Sequence, residues 1–126
     1  MGLRATVETA MRSPPVTVSF SDNILAVADR MLTNNVGAVI VMRGGEHVGI
    51  ITERDVVDKI LRGRRDPSET LAQDIMSSPL VSIEASQSIR DALELAQESE
   101  LRRLAVTRNG RLVGIVTERR LLDQLV

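Results

Sequence analysis

The pattern of apolar and polar positions occurs twice along this chain. Residues 11–61 align with residues 76–126 without a gap, at a constant offset of 76 − 11 = 65 positions. The best-preserved stretch, VGIITERD at 48–55, returns as VGIVTERR at 113–120. Two copies are too few for an open solenoid, so the pattern predicts two halves that close on each other.

Each copy contains the same series of predicted secondary-structure elements. In the first copy the apolar spacing predicts a strand at 16–18, a helix that follows Ser21 and ends near Asn34-Asn35 and Gly37, strands at 38–42 and 48–51, and a helix from 52 to about 61. Ser21 is the predicted N-cap of the first helix, because its hydroxyl can accept a hydrogen bond from the first turn. Gly44-Gly45 and Asn109-Gly110 are predicted hairpin turns, since these residues tolerate positive φ. Each half is therefore predicted to be a β-α-β-β-α unit.

The boundaries of the halves follow from breaker residues and polar runs. We predict a first repeat at 1–62, with a lead-in of one or two helical turns, a linker at 63–70 and a second repeat at 71–126. The linker region is polar, contains Gly63 and Pro67, and carries arginines that are typical of a solvated loop. A repeat of roughly 50 residues would be marginal by itself, so the two are predicted to fold together in the α/β (α+β) class.

Composition excludes several classes of protein. The 126 residues carry a formal net charge of −1, which is unlike a general nucleic-acid binder. The chain has no cysteine and one histidine, His47, which nearly excludes thiolate metal sites and nucleophile–base pairs. No apolar run approaches the ~20 residues that span a bilayer. We therefore predict a soluble, cytoplasmic protein that is not an enzyme, has no metal site and has no membrane partner.

The low aromatic content constrains any planar ligand. Phe20 is the sole aromatic residue. A planar ligand would therefore be held by aliphatic side chains and backbone amides rather than by stacked rings.

The recurring motifs resemble those of the cystathionine-β-synthase (CBS) domain pair. The motif MRSP at 11–14 returns as MSSP at 76–79, and the hairpin of each copy ends in Gly-φ-φ-Thr-Glu-Arg. The resemblance covers essentially the whole chain. It implies two pseudo-symmetric β-α-β-β-α repeats packed as one module, with clefts that commonly bind adenosine nucleotides, and pairs that often form flat dimers.

The resemblance implies a ligand site that draws residues from both repeats. Asp55 would accept hydrogen bonds from the ribose hydroxyls, as acidic residues do in dinucleotide-binding folds. Thr52, at a strand-to-helix junction that attracts anions, would contact phosphate together with Arg54, Arg102 and Arg103, since arginine forks suit phosphate. The base would rest on four aliphatic residues: Ile50, Leu80, Val81 and Leu101.

A quasi-symmetric second site is implied, but it departs from the family pattern. Arg120 stands where the family carries the ribose-binding aspartate. A guanidinium only donates hydrogen bonds, so it cannot accept them from ribose hydroxyls. The second site is thus predicted to be degenerate or retuned for phosphate, and to use Val16, Gly37, Ala38, Thr117, Arg119 and Arg120.

Simpler roles fit the same residues and stay open at this stage. Thr52 and Asp55 have the spacing of a capping box, in which two side chains satisfy backbone N–H groups at the start of a helix. This role is compatible with ligand binding. Arg102 and Arg103 equally fit a solvated surface at a helix end, where cations are favoured by the helix dipole.

The first of three functional hypotheses is a non-catalytic regulatory module. It would bind AMP, ADP or ATP, require no cofactor and signal to a separate, unknown effector protein. The second is a ligand-free structural or dimerisation module, or a binder of S-adenosylmethionine or another adenosyl ligand. The third hypothesis, an enzyme, is disfavoured because the chain has one histidine and no cysteine. Binding to nucleic acid is supported only by the arginines of the linker. A homodimer is predicted from apolar helical stripes at 24–32, 56–61 and 121–126.

Overall fold

The computed structural model describes residues 5–78 and 80–125. Pro79 of the MSSP motif and Val126 of the last apolar stripe lie outside the described residues. In chain order the elements are α1 (Val7–Ala10), β1 (Thr17–Ser19), α2 (Ile24–Asn34), β2 (Ala38–Arg43), β3 (Glu46–Thr52), α3 (Glu53–Asp55), a π-helical segment (Val56–Leu61), α4 (Ala72–Ile75), β4 (Ser82–Glu84), α5 (Ile89–Ser99), β5 (Arg103–Arg108), β6 (Arg111–Thr117) and α6 (Glu118–Asp123). Among the described residues, none of these helices has the length and hydrophobicity that crossing a membrane requires.

Each repeat forms a three-stranded sheet, and the two sheets have the same topology. β1 pairs parallel with β2, which pairs antiparallel with β3, and β4, β5 and β6 repeat this arrangement. The register is preserved too, since Thr17 pairs with Ile40 and Ser82 pairs with Ala105. Asn109 and Gly110 adopt the positive φ expected of their hairpin turn, 54° and 80°. The predicted β-α-β-β-α order is therefore confirmed in both halves.

The chain divides into two compact units that do not follow sequence order. We call residues 16–80 the first-repeat unit and residues 5–15 with 81–125 the second-repeat unit. α1 precedes the first repeat but belongs to the second-repeat unit, and α4 precedes the second repeat but belongs to the first-repeat unit. The predicted boundaries instead assign each short helix to the repeat that follows it in the sequence. The repeat boundaries at 1–62, 63–70 and 71–126 stay a prediction.

Backbone hydrogen bonds and core packing explain the position of α1. The N–H of Val7 donates to the carbonyl of Gln87 at 2.9 Å, and Arg12 exchanges two backbone hydrogen bonds with Ile115 at 2.8 and 3.1 Å. Val7 is fully buried and belongs to the same apolar core as Leu121. The second-repeat sheet thus gains an extra strand-like contact and a helix from residues before the first repeat.

The corresponding contacts hold α4 in the first-repeat unit. The N–H of Ala72 donates to the carbonyl of Asp22 at 2.7 Å, and Ser77 exchanges two backbone hydrogen bonds with Ile50 at 2.9 and 3.1 Å. Ile75 is 1% exposed and packs in the first-repeat core. The linker before α4 is also anchored, because the N–H of Ile24 donates to carbonyls at residues 67 and 70.

The glycines of the repeated motif are explained by close backbone approach. A Cβ on Gly49 would lie 2.6 Å from the sulfur of Met76, and one on Gly114 would lie 2.7 Å from the carbonyl of Arg12. Neither glycine has a positive φ, so the requirement is for space rather than for an unusual backbone conformation. Because these glycines have no side chain, a residue shortly after each short helix, Arg12 or Ser77, can form backbone hydrogen bonds with the hairpin strand.

One local prediction, the N-cap of α2, is wrong. The N-cap of α2 is Asn23 rather than Ser21, because the Asn23 side chain accepts from the N–H of Ala26 at 2.9 Å, while Ser21 lies earlier, in a turn. Ser88 occupies the equivalent position and caps α5. The predicted helix from 52 to about 61 is present, as α3 followed at Val56 by the π-helical segment.

Glu84 stabilises the turn between β5 and β6, and its contribution is expected to depend on pH. The carboxylate accepts hydrogen bonds from the Thr107 hydroxyl and from the N–H of Asn109, which lower the pKa of Glu84 below its ordinary value. A lowered pKa in the folded state stabilises the fold above the ordinary glutamate pKa of about 4.3, and this stabilisation is lost as the pH falls through the lowered pKa. We therefore expect Glu84→Gln to lower the Tm at pH 7.

The measurement is thermal unfolding, followed by circular dichroism, between pH 7 and pH 3. The difference in Tm between the wild type and Glu84→Gln is expected to shrink as the pH falls. Glu98→Gln, at an exposed position of α5, serves as the control and should show little difference at any pH. A constant difference for Glu84→Gln across the range would contradict the assignment.

Candidate functional site

The predicted ligand-binding residues are divided between the two units. The first-repeat unit contains Ile50, Thr52, Arg54, Asp55 and Leu80. The second-repeat unit contains Val81, Leu101, Arg102 and Arg103. The residues of the implied second site are divided likewise, with Val16, Gly37 and Ala38 in the first-repeat unit and Thr117, Arg119 and Arg120 in the second-repeat unit. Their joint action on one ligand stays a prediction, and each unit is described by itself below.

Asp55 and Thr52 form the capping box that their spacing allowed. Oδ2 of Asp55 accepts from the N–H of Thr52 at 2.9 Å and from the Thr52 hydroxyl at 3.1 Å. The Thr52 hydroxyl oxygen in turn accepts from the N–H of Asp55 at 3.2 Å. The box holds Oδ2 of the Asp55 carboxylate at the end of β3.

Lys59 holds the other oxygen of the same carboxylate. Its Nζ lies 3.3 Å from Oδ1 of Asp55, and it also donates to the carbonyl of Ile75 at 2.7 Å. The Asp55 side chain is 15% exposed and the Lys59 side chain 41% exposed. Lys59 is not among the predicted site residues. An aspartate four residues before a lysine on a helix is nevertheless the spacing that brings such a pair together.

The Asp55 carboxylate keeps limited capacity to bind a ligand diol. A carboxylate offers about four acceptor positions, and three donors from Thr52 and Lys59 already contact it. A ribose diol brings two further donors. The Thr52 hydroxyl can yield one position at low cost, because it can rotate to another acceptor while the backbone N–H stays in place. Asp55 can therefore accept both ribose hydroxyls without losing its backbone contact or Lys59.

Arg54 is a weakly held cation on the surface of the same unit. Its side chain is 86% exposed, and its Nε lies 3.8 Å from a carboxylate oxygen of Asp58. Asp58 also accepts from Arg62 at 3.1 Å. An exposed pair at this distance contributes little, so the Arg54 guanidinium can turn toward an anion at small cost.

The second-repeat unit contains an arginine pocket with a volume of about 450 Å³. It is lined by Arg102, Arg103, Thr117, Glu118 and Arg119. The sequence predicts the first two arginines in one site and Thr117 with Arg119 in another, whereas the structure places all four in the lining of one pocket. Three guanidinium groups against one carboxylate make this pocket suited to an anion such as phosphate.

The ends of β5 and β6 bring these side chains together. Arg103 begins β5 and pairs with Thr117, the last residue of β6. The N–H of Glu118 donates to the carbonyl of Arg102 at 2.8 Å, which fixes the turn beside the strand. The pocket residues are therefore positioned by backbone pairing rather than by flexible loops.

Arg120 has a structural contact that the sequence did not reveal. Its Nε donates to the carbonyl of Ala10, the last residue of α1, at 2.7 Å. Ala10 and Ile75 are equivalent positions of the repeat, 65 apart, so Arg120 makes in the second-repeat unit the contact that Lys59 makes in the first-repeat unit. Gln124 stands at the position of Lys59. A role for Arg120 in a second ligand site stays a prediction.

The aliphatic residues predicted to hold a base have mixed surroundings. Ile50 and Leu80 are partly buried in the first-repeat unit, and Ile50 pairs with Ser77. Val81 packs against the second-repeat core, and Leu101 follows α5. Val16, assigned to the second site, packs against the first-repeat core. The side chains of Val81 and Val16 thus contribute to the cores of their units.

An apolar groove lies between α2 and the helical segments after β3 in the first-repeat unit. Its volume is about 520 Å³, and its apolar lining comprises Ala28, Met31, Leu32, Val36, Val56 and Val57. Leu32 in this lining is 79% exposed, and Leu61, the last residue of the π-helical segment, is 68% exposed. Among residues 5–78 and 80–125, no cluster of three or more potential metal ligands is present.

Two stretches of the chain, residues 7–62 and 72–126, match the family model of the CBS domain. An uncharacterized protein of Methanopyrus kandleri is 34% identical over 114 residues, which cover 89% of this chain and 58% of that protein. The CBS domain-containing protein YhcV of Bacillus subtilis is 34% identical over 112 residues, which cover 89% of this chain and 79% of that protein. The chain thus spans less than two thirds of the archaeal relative.

A solved structure has the same fold as this chain. It is a CBS domain protein from Pyrobaculum aerophilum complexed with AMP. Its TM-score is 0.81 at 24% identity, and the alignment covers 95% of this chain and 98% of that chain. At this identity the likeness is one of fold.

Proposed function

Because this chain belongs to the CBS-domain family and carries two copies of the domain, we propose that it is a non-catalytic regulatory module that binds an adenosine nucleotide and signals to a separate protein. In this proposal Asp55 accepts hydrogen bonds from the ribose hydroxyls. Arg102, Arg103 and Arg119 bind the phosphate. The cellular location we propose is the cytoplasm.

The observation that carries the proposal is the complementary divergence of the two repeats. The first repeat has the ribose carboxylate, Asp55, but has Gly37 and Ala38 at the positions of Arg102 and Arg103. The second repeat has the arginine pocket but Arg120 in place of the carboxylate. Each repeat retains the group that the other lacks, as expected if the chain binds one ligand that needs both.

The availability of these groups also supports the proposal. The Asp55 carboxylate is oriented by three donors and keeps room for a diol, while the arginine pocket has a net excess of positive charge. The complex of the Pyrobaculum protein with AMP supports the view that this fold accommodates such a ligand.

The test is thermal unfolding in the presence of AMP, ADP, ATP, S-adenosylmethionine or NADH. A ligand at a hundredfold excess over its Kd stabilises the folded state by about 2.7 kcal/mol, which corresponds to roughly 10 °C in Tm for a chain of this size. We expect at least one adenine mononucleotide to give such a shift and Arg102→Ala to reduce it. A Tm that none of the five ligands changes would contradict the proposal and favour a ligand-free assembly module.

We further propose that the module is a homodimer formed through the apolar face of the first-repeat unit. The elements that line the groove, α2 and the π-helical segment, also carry the exposed Leu25, Leu32 and Leu61. They therefore offer both projecting side chains and a concave surface, as a self-complementary two-fold interface requires. The equivalents of Leu25 and Leu32 in the second repeat are Arg90 and Gln97. α5 therefore lacks the exposed leucines of α2, although Leu122 and Leu125 of α6 are also exposed.

Leu32→Glu is expected to convert the dimer to a monomer. The substitution places an unpaired carboxylate in an apolar contact, which should raise the dimer Kd by roughly a hundredfold or more. Folding should be little affected, since the Leu32 side chain is 79% exposed. Light scattering at tens of micromolar measures the mass, and Gln97→Glu at the equivalent position of α5 is the matched control. A monomeric wild type, or a Leu32→Glu variant that stays dimeric, would refute this interface.

A further inference from the structure

Lys59 makes two contacts that link the Asp55 carboxylate to the end of α4. Its ammonium group lies 3.3 Å from Oδ1 of Asp55 and donates to the carbonyl of Ile75 at 2.7 Å. Ile75 is the last residue of α4, and such terminal carbonyls have no partner within the helix. One side chain thus satisfies a helix end and contacts the carboxylate assigned to the ribose.

The second repeat shows that these two tasks are separable. There Arg120 donates to the equivalent carbonyl, that of Ala10, at 2.7 Å, and no carboxylate stands at the aspartate position. A cationic side chain from the helix after the hairpin is therefore sufficient to donate to the last carbonyl of the short helix, without a carboxylate beside it. The additional contact of Lys59 with Asp55 occurs where the carboxylate has been kept.

The two oxygens of Asp55 differ in what holds them. Oδ2 is fixed by the backbone N–H and hydroxyl of Thr52, whereas Oδ1 has Lys59 as its charged partner. Without Lys59 the carboxylate could rotate about the Oδ2 contact, and the second ribose hydroxyl would lose a fixed acceptor.

We propose that Lys59 is a positioning residue for ribose recognition: it fixes Oδ1 of Asp55 toward the ribose diol and anchors this arrangement on α4. The inference rests on the proposed nucleotide-binding function and assigns to it a residue outside the family's Gly-φ-φ-Thr-x-x-Asp motif. Lys59 itself does not contact the ligand in this arrangement.

The experiment compares the affinities for AMP and 2′,3′-dideoxyAMP, measured by calorimetry. The wild type is expected to prefer AMP, because the dideoxy compound offers Asp55 no hydroxyl. Lys59→Gln introduces the residue found at position 124, and its amide can still donate to Ile75. We expect it to weaken AMP binding about tenfold, as loss of one hydrogen bond to a charged acceptor does, and to leave the dideoxy compound unchanged.

Three further variants separate positioning from support of the fold. Lys59→Arg keeps a cationic donor and should restore the AMP preference to within about threefold of the wild type. Lys59→Met removes both contacts, and should reduce the preference at least as much as Lys59→Gln. Arg62→Met removes a neighbouring cation that pairs with Asp58 and should change neither affinity.

Equal weakening of both nucleotides by Lys59→Gln would show a merely structural role and overturn the inference. An unchanged preference would overturn it as well, while the nucleotide-binding proposal would stand. A wild type that binds neither compound, and whose Tm none of the five ligands named above changes, would instead refute the proposed function, and the role of Lys59 with it.

Discussion

Asp55→Ala is expected to weaken AMP binding by roughly thirty- to a thousandfold. The substitution removes two hydrogen bonds between ribose hydroxyls and a charged acceptor, worth about 2–4 kcal/mol together. It also removes half of the capping box at Thr52, which should lower the stability of the fold by about 1 kcal/mol. Titration calorimetry well below the Tm of the variant separates the loss of affinity from the loss of stability.

Asp58→Ala provides the matched control for this prediction. Asp58 lies three residues further along, its side chain is 43% exposed, and its partners are the surface cations Arg54 and Arg62. The Asp58→Ala substitution should leave the affinity for AMP within about twofold of that of the wild type. An Asp55→Ala variant that binds AMP as tightly as Asp58→Ala would remove Asp55 from the ligand site.

The second large effect concerns the number of ligands that one chain binds. We expect one AMP per chain, because the carboxylate and the arginine pair each occur in only one of the two repeats. Arg120 has donors only, and its Nε already donates to the carbonyl of Ala10. Calorimetric titration of the wild type gives the stoichiometry directly, and two AMP sites of similar affinity would contradict this interpretation.

The contact of Arg120 with Ala10 determines how a second carboxylate should be introduced. Arg120→Asp alone would leave the end of α1 without its cation, so a loss of stability would obscure any gain of binding. The double variant Arg120→Asp with Gln124→Lys restores the arrangement of Asp55 and Lys59 in full. We expect its Tm to exceed that of Arg120→Asp by several degrees, since it regains a donor for Ala10 and a charged pair. Equal Tm values would show that the Lys59 arrangement does not transfer to the second repeat.

The fold was largely predictable because its signals are repeated in the sequence. A constant offset of 65 residues, together with the turn residues Gly44-Gly45 and Asn109-Gly110, specified both hairpins and the β-α-β-β-α order. The identity of the α2 cap was missed because Ser21 and Asn23 are both good capping residues. Which of them accepts a hydrogen bond from the first turn of the helix depends on the backbone conformation of the preceding turn, where the Ser21 hydroxyl contacts that of Ser19 instead.

The candidate site was predictable in its residue types but not in its contacts. Thr52 and Asp55 follow from a motif within one segment, and the structure confirms their capping box. Lys59 and Arg120 act through carbonyls at Ile75 and Ala10, which are 16 and 110 positions away. Local spacing contains no signal for such contacts, because they depend on where α1 and α4 pack.

The exchange of the short helices between the units means that, during synthesis, the first-repeat unit can complete its contacts before α1 meets its partners in the second-repeat unit. The first-repeat unit is contiguous, so a ribosome has delivered all of it once residue 80 has emerged. α1 is made before the first-repeat unit, but Val7 meets Gln87 only 80 residues later and Arg12 meets Ile115 only 103 residues later. At 5–20 residues per second α1 waits about 4–20 s without its partners. A cleavage that removed residues before 16 would accordingly damage the second repeat, the part of the protein farthest from the cut in sequence.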